Sequence, residues 1–334
     1  MKGLLMKYPV LPADLAMVEL YKDILPRRIF DAHAHLYTKE TAPHAWSEQG
    51  NFRREVCRIS DYRTDMAPFY PGVEEMHINA IPMPDPVLRD TKNGLRDRIN
   101  NHVAEEASAN AGSVGSAYVL MDDTPAEIEK MTSSPSVRAI KCYWYAAKDR
   151  DGESCMIRDF LPESAWEVAS AKKIPIVLHM MHPEALSDER NFSYISRMTE
   201  RYPDTPLVLA HCARAFASWT VIEAAGRLAS RENVWFDLAA IAEPSPMMAC
   251  IKASGGKRVM WGTDYPICMF RGKPVSLGKG FYWMPAEAYP DNVAPACLIT
   301  ESLLALRQAA LLLDLDKPDL DRIFYNNAVS LFHP

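Results

Sequence analysis

The side chains of this sequence best equipped for chemistry are a set of histidines and one aspartate. His33 and His35 stand two apart in RRIFDAHAHLY, an apolar-rich run that reads as a strand. A strand alternates faces with a period of two, so both imidazoles project from one face, and Asp31 with them. Two imidazoles one such repeat apart, roughly 6–7 Å along the backbone, can converge on a single metal ion. The pair alone reads equally well as exposed or core histidines, so other segments must decide. His179 closes the run IPIVLH, His211 closes PLVLAH and Asp264 closes VMWGTD. Three imidazoles and one carboxylate suit zinc or a similar first-row divalent ion such as manganese, with room for a water. Such an ion lowers the pKa of its water from 15.7 to about 7 and polarises a substrate oxygen. A histidine or carboxylate beside it then manages the proton, and His211 and Asp264 fill that place.

These residues need a scaffold that gathers strand ends. Eight β-rich runs recur, at 29–37, 76–83, 115–121, 137–145, 174–180, 206–212, 233–239 and 258–264. Helical pattern or start signals fall at 12–24, 87–110, 125–133, 163–173, 184–201, 217–230 and 246–254. Strands alternating with helices predict a parallel sheet, and eight units predict a closed α/β barrel, a (β/α)8 TIM barrel. In a barrel the five residues meet at the C-terminal mouth, where enzymes of this architecture place their chemistry. A doubly wound sheet is the competitor, but GxGxxG, GxxxxGK[ST] and GxSxG are all missing. The expected organisation is a single domain over 1–334, with a leader at 1–27. Two long loops, 38–75 after strand one and 265–298 after strand eight, absorb the surplus over the roughly 250 residues of a typical barrel. Loops of that length on that face serve as lids or substrate walls.

The bulk properties narrow the partners. A chain of 334 residues, 48% hydrophobic and 24% charged, is ordinary globular composition. A net charge of −6 argues against nucleic acid or an anionic membrane. Lys7, Pro9, Pro12 and Asp14 interrupt any signal-like start, and no apolar run reaches membrane-spanning length. The expectation is a cytoplasmic protein that binds a small-molecule substrate, with a homodimer compatible with the sequence. Seven scattered cysteines without a CxxC suggest neither disulfides nor a thiolate zinc site, and Cys212 reads as core rather than nucleophile.

DAHAH, LVLAHCAR, VMWGTDYP and the terminal IFYNNAVSLF together resemble the amidohydrolase superfamily. The resemblance is greatest to its metal-dependent hydrolase and decarboxylase branch, which includes aminocarboxymuconate-semialdehyde decarboxylase. It implies a mononuclear centre with His33, His35 and His179 as imidazole ligands and Asp264 as carboxylate ligand or proton shuttle. His211 is then an unligated base. Lys141, at the end of RAIK on strand four, stands where binuclear members carry a carbamylated lysine. A bridging carbamate, a substrate-facing ammonium and a solvated or salt-bridged lysine all remain open for it. If it bridges, His211 becomes a ligand of a second metal.

For the substrate, Tyr143, Trp144 and Tyr145 follow strand four, and Trp46, Arg53, Arg54 and Arg271 lie in the long loops. Arginine forks bind carboxylates, which suggests an acidic substrate. His182 and His44 are lesser candidates for contact; His77, His102 and His333 read as remote from the chemistry. The expected activity is hydrolysis of a carbonyl, lactone or amide by metal-activated water, on one divalent ion, foremost zinc. The alternative is decarboxylation of an unsaturated or aromatic acid at the same site. A non-catalytic barrel with a structural metal is disfavoured, because a structural zinc needs no neighbouring proton carrier.

Overall fold

The computed structural model describes residues 8–43, 54–83, 94–144, 147 and 154–333. Eight parallel strands follow one another around the sheet in chain order. They are β1 (Arg28–Leu36), β2 (Glu75–Pro82), β3 (Val114–Tyr118), β4 (Val137–Cys142), β5 (Ile176–Leu178), β6 (Leu207–Leu209), β7 (Val234–Asp237) and β8 (Val259–Met260). β5, β6 and β8 are buried at every position, as parallel strands covered on both faces must be. The barrel closes just beyond β8: Ala32 N–H donates to Trp261 O at 2.9 Å, Asp264 N–H to His33 O at 2.7 Å and His35 N–H to Tyr265 O at 2.6 Å. The TIM barrel expected from the sequence is therefore the architecture found.

Helices return the chain between strands, among them Leu95–Ala109, Pro125–Met131, Glu163–Lys172, Glu189–Arg201 and Pro244–Ser254. The helix expected at 217–230 is instead a single turn, Trp219–Ile222, followed by a short 3-10 segment at Ala225–Leu228. The terminal IFYNNAVSLF plugs the barrel floor. Asn327 donates to Gly256 O at 2.9 Å and Val259 O at 2.8 Å, and Phe332 stacks on Phe30 with 5.6 Å between centroids. Among the described residues no helix is long and apolar enough to cross a membrane.

The two long connections carry structure of their own. The first contains a helix, Ile59–Met66, and the second folds into an antiparallel hairpin, β9 (Gly272–Leu277) and β10 (Gly280–Pro285). Gly278, at φ +58, makes the two-residue turn between them. Glu243 fastens the hairpin to the barrel, accepting from Ser276 N–H at 2.9 Å and from the hydroxyls of Ser276 and Ser218.

Candidate metal centre and active site

β1 delivers its two histidines through an irregularity. Its register against β2 shifts between Asp31 and Ala34, so one extra residue is accommodated there. The Asp31 carboxylate holds this bulge, accepting from His33 N–H at 2.9 Å, Thr263 N–H at 3.0 Å and the Thr263 hydroxyl at 2.5 Å. Alternation thus serves for His33 and His35 but not for Asp31, whose carboxyl closes the barrel seam. Burial lifts its pKa to about 7 in spite of those donors. Gly262 is required beside it: a Cβ there would stand 3.0 Å from His33 Cβ and 3.2 Å from Ala239 Cβ.

The imidazoles are held in defined tautomers. His33 Nδ1 donates to Asp237 Oδ2 at 2.8 Å, and His211 Nδ1 donates to Ala239 O at 3.0 Å. The Tyr143 hydroxyl gives its proton to Pro82 O at 2.8 Å, so its contact of 3.2 Å with His35 Nδ1 is one it accepts. All three Nε2 atoms are left as lone pairs. Burial is the main cause that lowers the pKa values of His33, His35 and His179, so these imidazoles are neutral.

The lone pairs converge. His33 Nε2 lies 3.2 Å from His35 Nε2 and 3.5 Å from Asp264 Oδ1, and His35 Nε2 lies 2.9 Å from Asp264 Oδ1. Two donors bound to one zinc at about 2.0–2.1 Å stand roughly 3–3.5 Å apart, which is the size of this triangle. Three acceptors face one point, with Lys141 Nζ at 3.2 Å from His33 Nε2 as the proton donor beside them, and a cation satisfies that arrangement. The residues fit a divalent ion.

His211 belongs to this group and His179 stands one step outside it. Ligand atoms of His33, His211 and Asp264 lie within 4.8 Å of one another, whereas His179 Nδ1 reaches the cluster by donating to His211 Nε2 at 3.1 Å. His211 thus lies nearer the cluster than His179, which touches it through His211. The backbone at His211 explains its placement. His211, Cys212, Ala213 and Arg214 all have left-handed φ values, 58°, 49°, 60° and 60°. Each such non-glycine residue costs about 1–2 kcal/mol. Asp237 Oδ1 holds the turn by accepting His211 N–H at 2.8 Å and Ala239 N–H at 3.2 Å.

Lys141 is fully buried beneath the cluster, with Nζ 3.2 Å from His33 Nε2 and 4.8 Å from the centre of the Tyr143 ring. The solvated reading is overturned. Burial lowers its pKa to about 8, against the pull of Asp237 and Asp264. Cys212 is buried and its thiol is pushed well above the ordinary range, which removes it as a nucleophile.

Above the cluster opens a cavity of about 270 Å³ walled by His35, His179, His211, Asp264, Tyr143 and Arg214, with Trp144, Phe216, Phe281 and Trp283 among its apolar residues. Two of these come from the hairpin: Phe281 and Trp283 each pack on Phe216 at 5.2 Å. Other sequence candidates lie elsewhere. Arg271 is not on this wall; its guanidinium grips Asp14 at 2.9 Å and Pro295 O at 2.9 Å. Arg54 is likewise bound to Asp65 and Asp61. His182 is held outside by Arg190, at 2.9 Å, and Asp188, at 3.3 Å. Arg53, His44, Trp46 and Tyr145 lie outside the described residues. Sequence reasoning missed Asp237, Arg214 and the hairpin aromatics. Asp237 had a signal, an acid ending an apolar strand as His179 and His211 do.

A family model described as amidohydrolase matches residues 30–333. The chain belongs to the amidohydrolase family. No curated protein matches this amidohydrolase in sequence. Solved structures with its fold include 5-carboxyvanillate decarboxylase from Sphingomonas paucimobilis, at 14% identity and TM-score 0.58, covering 92% of this chain and 99% of that one. Another is 2,6-dihydroxybenzoate decarboxylase from Rhizobium, at 14% identity and TM-score 0.59, covering 92% and 98%. A third is an amidohydrolase from Burkholderia multivorans solved with zinc, at 13% identity and TM-score 0.57, covering 91% and 98%. At these identities the likeness concerns the fold, and this amidohydrolase must be read from its own site.

Proposed function

We propose that this amidohydrolase is a metal-dependent hydrolase that cleaves an ester, lactone or amide bond of a small molecule. The observation that carries the reading is the triangle formed by His33 Nε2, His35 Nε2 and Asp264 Oδ1, with a further lone pair on His211 beside it. His33, His35 and Asp264 would hold one divalent ion, and zinc suits these nitrogen and oxygen donors; the zinc in the Burkholderia multivorans neighbour supports that choice. Such an ion supplies Lewis acidity toward a carbonyl oxygen and lowers the pKa of a water.

The chain's own residues do the rest. His211 Nε2, once it gives up its hydrogen bond from His179 Nδ1, accepts a proton from the attacking water as the new carbon–oxygen bond forms. The resulting imidazolium, its Nδ1 proton held by Ala239 O, returns a proton to the leaving oxygen or nitrogen as the old bond breaks. His179 opens onto the cavity and touches His211, so it can relay protons to bulk water. Trp144, Phe216, Phe281 and Trp283 exclude water and favour a flat substrate.

The aromatic wall also favours a second reading, decarboxylation of an aromatic or unsaturated acid, which the decarboxylases among the neighbours support. That reaction needs a proton delivered to carbon as carbon dioxide leaves. Asp264, one of the groups that would hold the ion, is not free to deliver that proton, which gives hydrolysis the preference. A panel of aryl esters, lactones, amides and aromatic acids, followed in parallel for bond hydrolysis and carbon dioxide release, tests the assignment. Gas evolution without hydrolysis would overturn it in favour of the lyase.

A further inference from the structure

Asp264 carries the carboxylate of the triangle on a left-handed backbone, φ 62°, a conformation that a residue with a Cβ avoids unless its surroundings impose it. The residue after it supplies part of that hold. Tyr265 is fully buried; its carbonyl accepts His35 N–H at 2.6 Å, and its own N–H donates to the Thr263 hydroxyl at 3.0 Å. The backbone that sets Asp264 is therefore tied to the His35 that faces it. The Tyr265 ring stands edge-on to Tyr62, with 5.4 Å between centroids, and its hydroxyl donates to Asp65 Oδ2 at 2.8 Å. Asp65 lies on the helix Ile59–Met66 of the first long connection and is fixed in turn. Arg54 Nε donates to the same Oδ2 at 3.1 Å and Nη2 donates to Oδ1 at 2.5 Å, while Nη1 stands 3.1 Å from Asp61. Arg54, Asp65 and Tyr265 are all buried, where charge-assisted hydrogen bonds of this kind are stronger than in water.

We infer that Asp65 is a positioning residue of the metal centre: through the Tyr265 hydroxyl it holds the Asp264 carboxylate against His35. Both of its oxygens are used, so one carboxylate neutralises Arg54 and grips Tyr265 at once. The first long connection is on this account part of the centre and not only a wall near it. Arg54 serves the site by fixing Asp65, in place of the substrate carboxylate that its sequence position suggests. The inference rests on the reading of His33, His35 and Asp264 as ligands, and is independent of which bond is cleaved above them.

Zinc affinity, rather than turnover, tests it. Tyr265→Phe removes one oxygen and keeps the packed ring, and Asp65→Asn leaves one carbonyl oxygen where two oxygens accept. Chelator competition on the purified enzyme should find zinc held about tenfold more weakly in each variant, the lower end of the roughly 10–100-fold range for residues that orient ligands. The double variant should bind zinc no more weakly than the more affected single one, because both act through one contact. Tyr21→Phe is the control for a merely structural role. That hydroxyl, at the end of the helix Pro12–Tyr21, is buried and donates to Phe69 O at 3.1 Å. Its loss should lower the urea midpoint as Tyr265→Phe does and leave zinc affinity at the parent value. Tyr265→Phe decides the matter should Asp65→Asn, which also disturbs the Arg54 pair, fail to fold. Parent affinity in Tyr265→Phe, or an equal loss of affinity in Tyr21→Phe, overturns the inference alone. A parent enzyme that takes up no zinc overturns the metal centre itself, and this inference with it.

Discussion

Asp237 and His33 are joined by a hydrogen bond of 2.8 Å in which neither partner touches solvent. The same carboxylate takes the His211 backbone N–H at 2.8 Å, so one residue on β7 fixes both a β1 metal-binding candidate and the strained turn after β6. Asp237→Asn keeps the shape but presents an amide where a strong proton acceptor stood. Carboxylates that orient a ligating imidazole contribute about 10–100-fold to metal affinity. A loss of that order is expected in a chelator competition titration of Asp237→Asn, with the far-ultraviolet circular dichroism unchanged. Unaltered metal affinity would show that His33 needs no such orientation.

Metal content is the most direct check on the centre. One tightly held divalent ion per chain is expected by elemental analysis, its removal by a chelator should stop turnover, and zinc should restore it. Two ions per chain would make Lys141, 3.2 Å from His33 Nε2, a ligand in modified form. A protein that contains no metal and takes up none on reconstitution would refute the proposed chemistry.

The barrel and its seam were legible because parallel strands announce themselves as short apolar runs, and because the polar residues ending them cannot be core by chance. His33, His35, His211 and Asp264 were found on that basis. Asp237 carried the same signal and went unused because an acid next to Leu238 and Ala239 also reads as a strand terminus. The placement of His211 nearer the cluster than His179 was not legible, since it depends on four consecutive left-handed residues that no residue type in HCAR demands. Arg271 was misplaced for another reason. Its partner Asp14 is 257 positions away, and loop sequence does not say which long-range ion pair will form. The hairpin wall had a faint trace in the glycine turn at 278–280, followed by aromatics at alternating positions 281 and 283.

Proton handling should respond sharply to substitution. His211→Ala removes the lone pair that accepts the proton, and Asp264→Asn removes the anion of the triangle. Each is expected to lower kcat by about 10²–10⁴-fold on whichever substrate the panel identifies, with circular dichroism and thermal unfolding close to the parent. His179→Ala, one contact farther out, should cost less. A near-normal kcat in His211→Ala would transfer the base role to His179.

The thiols offer a test of the core that is independent of activity. All seven cysteines are buried, and burial pushes Cys297 up to about 12 and Cys57, Cys142 and Cys268 higher still. A buried, protonated thiol is a poor nucleophile. Ellman's reagent should therefore find essentially no fast-reacting thiol in the native protein and all seven after denaturation. A single rapid native thiol would identify a segment that opens locally.

The ion pair that took Arg271 away from the site should govern acid stability at the other side of the second long loop. Burial works to raise Asp14, but the Arg271 guanidinium and the backbone N–H groups of Leu11 and Cys297 prevail, and its pKa falls below the ordinary 3.8. A carboxyl whose folded pKa is depressed adds stability that is fully present above the unfolded value. That stability is lost as pH falls through the folded value. The contribution of this pair should therefore be complete at neutral pH, begin to fall at about pH 3.8 and be lost as pH drops through the lower folded value. Arg271→Ala leaves Asp14, which is wholly buried, without its counter-charge and should cost about 2–4 kcal/mol at pH 7 in urea unfolding. Asp14→Asn should lower stability at pH 7 by a similar amount but flatten its fall between pH 4 and pH 2. Parallel acid limbs for the parent and Asp14→Asn would show that the pair does not set the acid sensitivity of the fold.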